Sequence, residues 1–261
     1  MPGVRVPRED LRVPDAEADL YLVGLGIGGL DSRSVEVDSI LRQASVVLHL
    51  TAFDDSLRAL SSGLVVDLRL LYESDDDPKI VYDSITRAVL CQATDQSPGR
   101  YVAFASYGHP LNLVDSNWDI LSQARSHGLR AKAIAATSFV DQVLVDLEHR
   151  FDRGLQAYEA NFFMERKVEV DPRIALLLSQ VGHFHTKKLR THTNIVSRMH
   201  PLMSRLGELY PSERRCCVIF SSWRSDMAPE VAWTTIGEIA AIVSSIHTGC
   251  SLFVAGDSDV H

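Results

Sequence analysis

The sequence predicts an α/β protein of two domains, with a parallel sheet in its N-terminal half and a mixed α/β arrangement in its C-terminal half. Three short apolar runs, at residues 20–23, 46–50 and 101–105, stop at glycine or polar residues, which is typical of buried strands. Between the first two runs, residues 33–44 carry apolar side chains at helical spacing. A strand, a helix and a second strand in this order imply parallel pairing, and 261 residues suit two modest domains.

The pattern changes near residue 137, where we place the domain boundary. Residues 1–19 are rich in proline and charge and are expected to form a loose arm, residues 20–137 an N-terminal α/β domain, and residues 138–261 a C-terminal α/β domain. Further strands are predicted at 65–71, 131–135, 175–180, 216–221 and 251–254, and helices at 82–94, 118–127, 138–149, 192–209 and 235–245. Pro201 is expected to break the 192–209 helix into two pieces.

Composition excludes several classes of function. A net charge of −8 and the lack of a basic block argue against binding along a nucleic-acid backbone. No run of about 18 apolar residues is present, and the charged, proline-containing N-terminus does not resemble a signal peptide. The spacing of the four cysteines (Cys91, Cys216, Cys217 and Cys250) does not fit a zinc site, so reduced core thiols and a cytoplasmic location are expected.

A glycine loop follows the first predicted strand. Gly24, Gly26 and Gly29 match the spacing of a dinucleotide-binding fingerprint, in which glycines let the backbone approach a phosphate at a helix start. A dinucleotide site would also need an acid near the end of the second strand. The acids there, Asp54 and Asp55, come too late, which argues against NAD. A tight strand-to-helix turn without a ligand is the other interpretation of this loop.

A second loop, Phe-Ala-Ser-Tyr-Gly-His-Pro at residues 104–110, follows a central strand. Together the two loops resemble those of the tetrapyrrole methylases, where a glycine-rich first loop and a later G-x-P loop line a cleft. The sequence is most similar to the borosin branch of peptide backbone N-methyltransferases, whose second loop reads Y-G-H-P. Further segments similar to that branch follow in the same order, at residues 124–132, 138–141, 146–147, 154–160, 171–172 and 179–182.

The resemblance implies a two-domain homodimer that binds S-adenosylmethionine in the cleft between its domains, without a metal. It implies a set of cofactor-binding residues: Gly24, Gly26, Tyr107, Gly108, His109, Asn112, Leu113, Ser138, Phe139 and Gln180. Uncharged, oxygen-rich surroundings would suit a sulfonium ion, and an apolar slot would suit adenine. A buried amide at Gln180, a loop-ordering histidine at His109 and a merely buried tyrosine at Tyr107 are the structural alternatives.

The sequence also departs from the borosin pattern. That branch uses a Tyr, then an Arg and a second Tyr on the following helix; Tyr72 matches the first, but Val81 and Ile85 fall where the others should be. Only Tyr82 or Arg87, in a shifted register, could restore the set. An amide nitrogen is a poor nucleophile, so this loss favours an easier acceptor.

The first hypothesis is therefore methylation of a small-molecule natural product, such as C3 of an indole or of a tryptophan-derived cyclic peptide. The chain ends at His261 without an appended repetitive peptide, so self-methylation is not expected. The alternatives are backbone N-methylation of a separate precursor peptide, a catalytically inactive binding module, and a tetrapyrrole acceptor, for which no basic lining is evident. Residues that could act as the base or orient the acceptor are Tyr107, Tyr72, His109 and Glu159.

A histidine-rich segment is the one candidate for a metal site. His183, His185 and His192 lie close together in the sequence, but no further ligand follows with a clear spacing. Methyl transfer needs no metal, so we predict none and expect these histidines to contact substrate or solvent.

Overall fold

A computed structural model describes residues 17–73, 77–150, 153–186 and 195–257. The chain divides into two compact units, one of residues 1–139 with 223–225 and one of residues 140–222 with 226–261. Most of the predicted N-terminal arm, residues 1–16, lies outside the described residues. Within the described ranges, no helix combines the length and the apolar character needed to cross a membrane.

The first unit contains a five-stranded sheet in which every pair of neighbouring strands is parallel, in the order β3-β2-β4-β1-β5. Its strands are β1 (Leu20–Gly24), β2 (Val46–His49), β3 (Leu64–Asp67), β4 (Val102–Ser106) and β5 (Ala131–Ile134). Strands β1, β2 and β4 are buried along their whole length. This confirms the predicted parallel α/β half, because a sheet covered on both faces needs continuous apolar runs.

Four helices accompany this sheet: α1 (Val35–Gln43), α2 (Asp54–Leu60), α3 (Pro78–Thr94) and α4 (Asp115–Ser126). The apolar faces of α1 and α2 form one core with β1 and β2. The remaining two helices, α3 and α4, pack against each other, α3 on β4 and α4 on β5. Sequence analysis missed α2 and began α4 three residues late, because the first turns of both helices are acidic and polar rather than apolar.

The second unit contains a mixed sheet in the order β6-β7-β10-β8-β9, in which only β6 and β7 pair in parallel. Its strands are β6 (Leu155–Glu159), β7 (Ala175–Ser179), β8 (Arg215–Phe220), β9 (Glu230–Thr235) and β10 (Ser251–Val254). Its helices are α5 (Phe139–Asp146), α6 (Ala160–Glu165) and α7 (Ile195–Leu209). The expected mixed α/β half is therefore confirmed, although β6, α6 and β9 were not predicted.

Two predictions for this unit are wrong. Helix α7 continues through Pro201 instead of breaking there, because Met199, Leu202 and Leu206 are fully buried in the core of the unit and outweigh one lost backbone hydrogen bond. The helix expected at 235–245 is instead the end of β9 followed by two 3₁₀ turns, Ile236–Ala241 and Val243–Ser245.

The cysteines are all free, and three of them are buried. Burial raises the pKa of Cys216 and of Cys217 to about 12, and it also raises the pKa of Cys250. Cys91 is exposed on α3, so the expectation of a core thiol is wrong for this residue.

Tyr101 and Tyr210 provide a matched test of one buried hydrogen bond. The Tyr101 hydroxyl donates to the Ile40 carbonyl over 3.1 Å. This hydrogen bond joins α1 to the residue that directly precedes β4. The equally buried Tyr210 hydroxyl has no hydrogen-bond partner among the described residues. We expect Tyr101→Phe to lower the free energy of unfolding by about 1–2 kcal/mol and Tyr210→Phe to change it by less than about 0.5 kcal/mol, measured by urea denaturation. Equal losses in the two variants would contradict this assignment.

Candidate functional site

Two loops leave the carboxyl ends of neighbouring parallel strands and are hydrogen-bonded to each other. Strands β1 and β4 pair up to Gly24 and Ser106, where the first and second loops begin. Beyond that point, Gly26 N–H donates to the Gly108 carbonyl at 3.2 Å, and Gly108 N–H donates to the Gly26 carbonyl at 3.1 Å. The two loops therefore form one backbone surface at the edge where open parallel sheets bind ligands.

Close packing of the two loops explains why Gly24 is a glycine. A Cβ on Gly24 would lie 2.3 Å from the Gly108 carbonyl oxygen, and 2.7 Å from both Pro110 and Ala136. Ala136 follows β5, so three segments converge on this one position. Gly26 has a φ of 75°, which a side chain would disfavour.

The first loop does not open an α-helix, as a dinucleotide-binding loop would. It continues into a 3₁₀ turn, Gly29–Ser32, and α1 begins only at Val35, capped by the Ser34 hydroxyl. The α-helical N-terminus that would bind a pyrophosphate is therefore displaced along the chain from the glycines. This geometry adds to the sequence argument against NAD.

Side chains of the first turn of α4 hold the second loop in place. Asn117 Nδ2 donates to Ser106 Oγ at 2.9 Å and to the Pro110 carbonyl at 2.6 Å. Trp118 Nε1 donates to the Leu111 carbonyl at 3.1 Å. Sequence analysis missed Asn117 and Trp118, since a bond from a helix side chain to a loop carbonyl leaves no periodic signal.

The predicted second-loop residues differ in how they are placed. Tyr107 is 37% exposed and Leu113 is 39% exposed, and Leu113 has a φ of 60°. Asn112 N–H donates to the His109 carbonyl over 3.4 Å. Backbone strain in a leucine is uncommon and is often found at functional positions, so Leu113 is a strong candidate for a ligand contact through its backbone.

His109 has a defined tautomer when neutral. Leu111 N–H donates to His109 Nδ1 at 3.1 Å, so Nδ1 carries a lone pair and the ring proton is on Nε2. In this state His109 offers a hydrogen-bond donor from Nε2. It can orient an acceptor, but in this state it has no free nitrogen to take a proton.

Ser138 and Phe139 follow β5 in the first unit, and α5 begins at Phe139. Both side chains are half-buried. Ala136, which packs against Gly24, lies two residues before Ser138. The structure therefore brings the start of this segment to the junction of the two loops.

Gln180 and Glu159 belong to the second unit, at the ends of two paired strands. Gln180 directly follows β7 with a φ of 56°, a left-handed conformation that is unusual for glutamine. Glu159 caps α6: Oε2 accepts from Phe162 N–H at 2.7 Å, and Oε1 accepts from Asn161 Nδ2 at 2.8 Å. Both oxygens of this predicted base are therefore engaged in local structure.

On helix α3, the side chain of Tyr82 is partly exposed to solvent, whereas those of Val81 and Ile85 are not. Val81 and Ile85 are buried in the core at 2% and 0% exposure, whereas Tyr82 is half-buried. Burial, with a contribution from the negative charge of Asp115 at the start of α4, raises the pKa of Tyr82. The backbone of Tyr72 lies in a 3₁₀ turn, Arg69–Glu73, and its side chain is outside the described residues.

The histidine segment is distributed over different environments. His183 is half-buried in a 3₁₀ turn, and burial together with Arg198 lowers its pKa. His185 stacks on Phe184 at 4.9 Å between ring centroids. His192 is outside the described residues.

A different trio, His49, Asp54 and Asp67, has ligand-type atoms within 4.8 Å of one another. These side chains already form an ion-pair network. Hydrogen bonds from Arg58 and from Arg69 lower the pKa of Asp54 and of Asp67 respectively. His49 Nε2 lies 3.0 Å from Asp54 Oδ1, which it reaches as donor because Nδ1 accepts from Thr51 N–H at 3.3 Å. We therefore assign the trio a structural role at the end of β2 and β3.

The first unit also contains a short segment from late in the chain, Trp223–Ser225. Trp223 lies 5.8 Å from Phe53 between ring centroids, and Ser225 Oγ donates to Asp31 Oδ2 at 2.6 Å. Phe53 in turn packs on Gly29, where a Cβ would lie 2.4 Å from its ring. Sequence analysis did not connect this segment with the first loop, because 194 positions separate Asp31 from Ser225.

Comparison with known proteins identifies related sequences. A family model described as Tetrapyrrole (Corrin/Porphyrin) Methylases matches residues 19–220. The chain is 28% identical over 176 residues to a methyltransferase/ribosomally synthesized type II borosin cyclic peptide precursor of Phlebiopsis gigantea, covering 65% of this chain and 31% of the relative. It is 25% identical over 221 residues to the methyltransferase/ribosomally synthesized cyclic peptide dendrothelin A precursor of Dendrothele bispora, covering 84% and 53%. The chain thus spans 31% and 53% of the length of these two relatives.

Solved structures with the same fold are also available. Uroporphyrin-III-C-methyltransferase from Thermus thermophilus aligns with a TM-score of 0.65 at 19% identity, over 90% of this chain and 91% of that chain. The same enzyme complexed with S-adenosylhomocysteine aligns with a TM-score of 0.61 at 16% identity, over 90% and 96%. A cobalt precorrin-4 methyltransferase gives 0.64 at 14% identity, over 97% and 98%. These similarities confirm the predicted two-domain fold.

Gly24→Ala tests the packing between the two loops. The new methyl group would overlap the Gly108 carbonyl, so we expect unfolding free energy to fall by about 2–4 kcal/mol, as in other overpacked or strained sites. Gly207→Ala is the control: Gly207 lies inside α7 with nothing within 4 Å of its Cβ position. That change should stabilise the protein by up to about 1 kcal/mol. Thermal and urea denaturation of both variants would check this, and an unaffected Gly24→Ala variant would contradict the packing argument.

Proposed function

The chain belongs to the tetrapyrrole methylase family, and we propose that it is an S-adenosylmethionine-dependent methyltransferase whose acceptor is the backbone of a peptide. The family supports the methyl donor. The names of both curated relatives join a methyltransferase to a cyclic peptide precursor. These relatives favour the peptide acceptor, the alternative indicated by the sequence, over the small-molecule acceptor of the first hypothesis. The homodimer implied by the resemblance and the cytoplasmic location inferred from the cysteines stay predictions.

The observation that carries the proposal is the joined surface of the two loops. Residues 24–29 and 106–113 contain no charged side chain, and their backbones are locked together through Gly26 and Gly108. A sulfonium cation needs neutral, oxygen-rich surroundings that do not react with it. Backbone carbonyls and hydroxyls meet that need, so the residues present fit this cofactor.

Several residues would hold S-adenosylmethionine in this proposal. In the first unit, Gly24 and Gly26 let the backbone approach the ligand, and the second loop supplies further contacts through Gly108, Asn112 and Leu113. Ser138 and Phe139 would flank the adenosine or methionine part of the cofactor. Gln180 belongs to the second unit, and its role as a cofactor contact stays a prediction from the resemblance. When bound, the cofactor supplies an activated methyl group for in-line displacement.

Helix α3 supports a peptide acceptor in a shifted register. An Arg or Tyr at position 81 or 85 would have to be buried in the core, so those positions cannot present amide-activating groups. Tyr82 is half-buried on α3, and burial, with a contribution from the charge of Asp115, raises its pKa further above the neutral range, so its hydroxyl stays protonated. A protonated phenol can donate a hydrogen bond to an amide carbonyl. This contact would polarise the acceptor amide.

The transfer forms a bond between the acceptor nitrogen and the methyl carbon and breaks the bond between that carbon and sulfur, while the amide proton leaves the nitrogen. Of the four predicted bases, Glu159 is occupied as a helix cap and neutral His109 offers a donor. Tyr107 comes directly after β4, at the edge where open parallel sheets bind ligands, and its side chain is 37% exposed. We assign proton handling or acceptor orientation to Tyr107, with Tyr72 as a possible partner.

A small-molecule acceptor such as indole C3 is the second candidate. The observation in its favour is the missing arginine of the borosin set: Val81 and Ile85 stand where that set has its arginine and second tyrosine, and Arg87 is exposed in a groove of about 430 Å³ with Asp83, Cys91 and His127. A nucleophile that needs less activation would tolerate this absence.

Ligand binding and acceptor choice can be tested together. A saturating concentration of S-adenosylhomocysteine, 100-fold above its dissociation constant, should stabilise the protein by about 2.7 kcal/mol, seen as a rise in melting temperature. Synthetic peptides copying the precursor segments of the two curated relatives, and in parallel tryptophan and indole, are then incubated with S-adenosylmethionine. We expect methyl groups on peptide backbone nitrogens, located by fragmentation mass spectrometry.

The alternatives give distinct results in the same experiment. Methylated indole with unmodified peptides would support the small-molecule acceptor, and the intact mass of the protein detects methylation of its own chain. Ligand binding without any product would indicate a binding module. If neither S-adenosylhomocysteine nor S-adenosylmethionine raises the melting temperature, the cofactor assignment is refuted.

Tyr107→Phe tests the assigned catalytic role. If the hydroxyl orients the acceptor or relays its proton, single-turnover rates at saturating donor should fall roughly 10- to 1,000-fold. The affinity for S-adenosylhomocysteine should stay unchanged, because the ring is retained. Tyr210→Phe, which removes a buried hydroxyl without a described partner, is the control and should keep its rate. A Tyr107→Phe variant with the normal rate would show that the tyrosine is only structural.

A further inference from the structure

We propose that Asn117 is a positioning residue that sets the ligand-binding conformation of the second loop. The inference rests on the proposed function, since it assigns to Asn117 an effect on cofactor binding. It concerns a residue on α4, outside both loops. Asn117 acts through the loop and is not expected to touch the cofactor itself.

One side-chain amide of Asn117 spans the second loop. Its Nδ2 donates to Ser106 Oγ, at the end of β4, and to the carbonyl of Pro110, four residues later. The two contacts fix the distance across the loop, and Tyr107, Gly108 and His109 lie between the two anchored positions. The conformation of these three residues is therefore restricted by a single buried side chain that is 0% exposed.

Neighbouring contacts extend the same restraint. Trp118, the next residue on α4, binds the carbonyl of Leu111, while the Leu111 N–H binds His109. Within the same loop, Gly108 is hydrogen-bonded to Gly26 of the first loop. A shift of the second loop away from α4 would therefore move the His109 ring, and it would also strain the hydrogen bonds between Gly108 and Gly26 of the first loop.

The incomplete satisfaction of Asn117 argues for a role beyond stability. Its Oδ1 is buried and has no hydrogen-bond partner among the described residues. A leucine of similar size would avoid the desolvation of that oxygen, so an asparagine here is a poor choice for packing alone. What the asparagine adds over leucine is a pair of N–H donors, and both reach the second loop. We infer that loop geometry is what this residue serves.

Asn117→Asp is the central test, because it keeps the shape and removes both N–H donors. A carboxylate can still accept from the Ser106 hydroxyl but repels the Pro110 carbonyl. We expect the dissociation constant of S-adenosylhomocysteine, measured by titration calorimetry, to rise about 10- to 100-fold, the range for one or two lost hydrogen bonds. The KM for S-adenosylmethionine should rise in parallel, and kcat at saturating donor should also fall, because Tyr107 lies between the two anchored positions.

Ser116→Ala is the matched control. Ser116 is buried beside Asn117 on the same helical turn, and its hydroxyl also has no partner among the described residues. This variant should bind S-adenosylhomocysteine as wild type does. Ser106→Ala removes only one acceptor of the Asn117 amide, so it should weaken binding by a smaller factor, about 3- to 10-fold.

The outcomes separate the two levels of the argument. Failure of the wild-type protein to bind S-adenosylhomocysteine would refute the proposed function, whatever Asn117 does. Wild-type binding with an unchanged dissociation constant in folded Asn117→Asp would overturn the positioning role, even if its melting temperature fell. Should Asn117→Asp be unfolded by circular dichroism, Ser106→Ala and Trp118→Phe decide: weakened binding in both supports the role, and normal binding in both overturns it.

Discussion

The reciprocal backbone hydrogen bonds between Gly26 and Gly108 are the interaction on which the rest of this site depends. They join two loops that follow neighbouring strands, and they are possible only because Gly24 lets the second loop pass at close range. A side chain at Gly24 would force the loops apart before either could form the bridge. The glycine pattern is thus explained by contact between loops, and a ligand-binding role comes from the surface that this contact creates.

The loop surface is neutral, whereas charge is compensated elsewhere in the same unit. At the end of β2 and β3, Asp54 and Asp67 are each bound by an arginine, and the buried His49 bridges toward them. A buried charge without such partners would be costly. The acids at that end of the sheet are paired with arginines. The adjacent loops have no charged side chain of their own, so they suit a cation that must bind without being attacked.

Every strand that is buried along its whole length was predicted from the sequence, and the two strands that were missed are only partly buried. Strands β1, β2 and β4 are apolar throughout, so a simple apolar run predicts them. Edge strands β6 and β9 are only half-buried and mix polar with apolar side chains, which hides them. The loops of the candidate site were predicted from motifs. Asn117 and Trp223 were not, because their contacts depend on tertiary structure that no local pattern encodes.

The orientation of α3 bears on the acceptor that we propose. A motif register that places activating residues at Val81 and Ile85 directs them into the core, so the apparent loss of these residues does not argue against an amide acceptor. Tyr82 on α3 is half-buried, and the negative charge of Asp115 adds to the effect of burial in raising its pKa. Asp115 lies on the same helical turn from which Asn117 and Trp118 hold the second loop. One end of α4 thus connects the proposed acceptor side of the site with the loop assigned to the methyl donor. This shared support is why the peptide acceptor, favoured by the relatives, is also consistent with the packing of this chain.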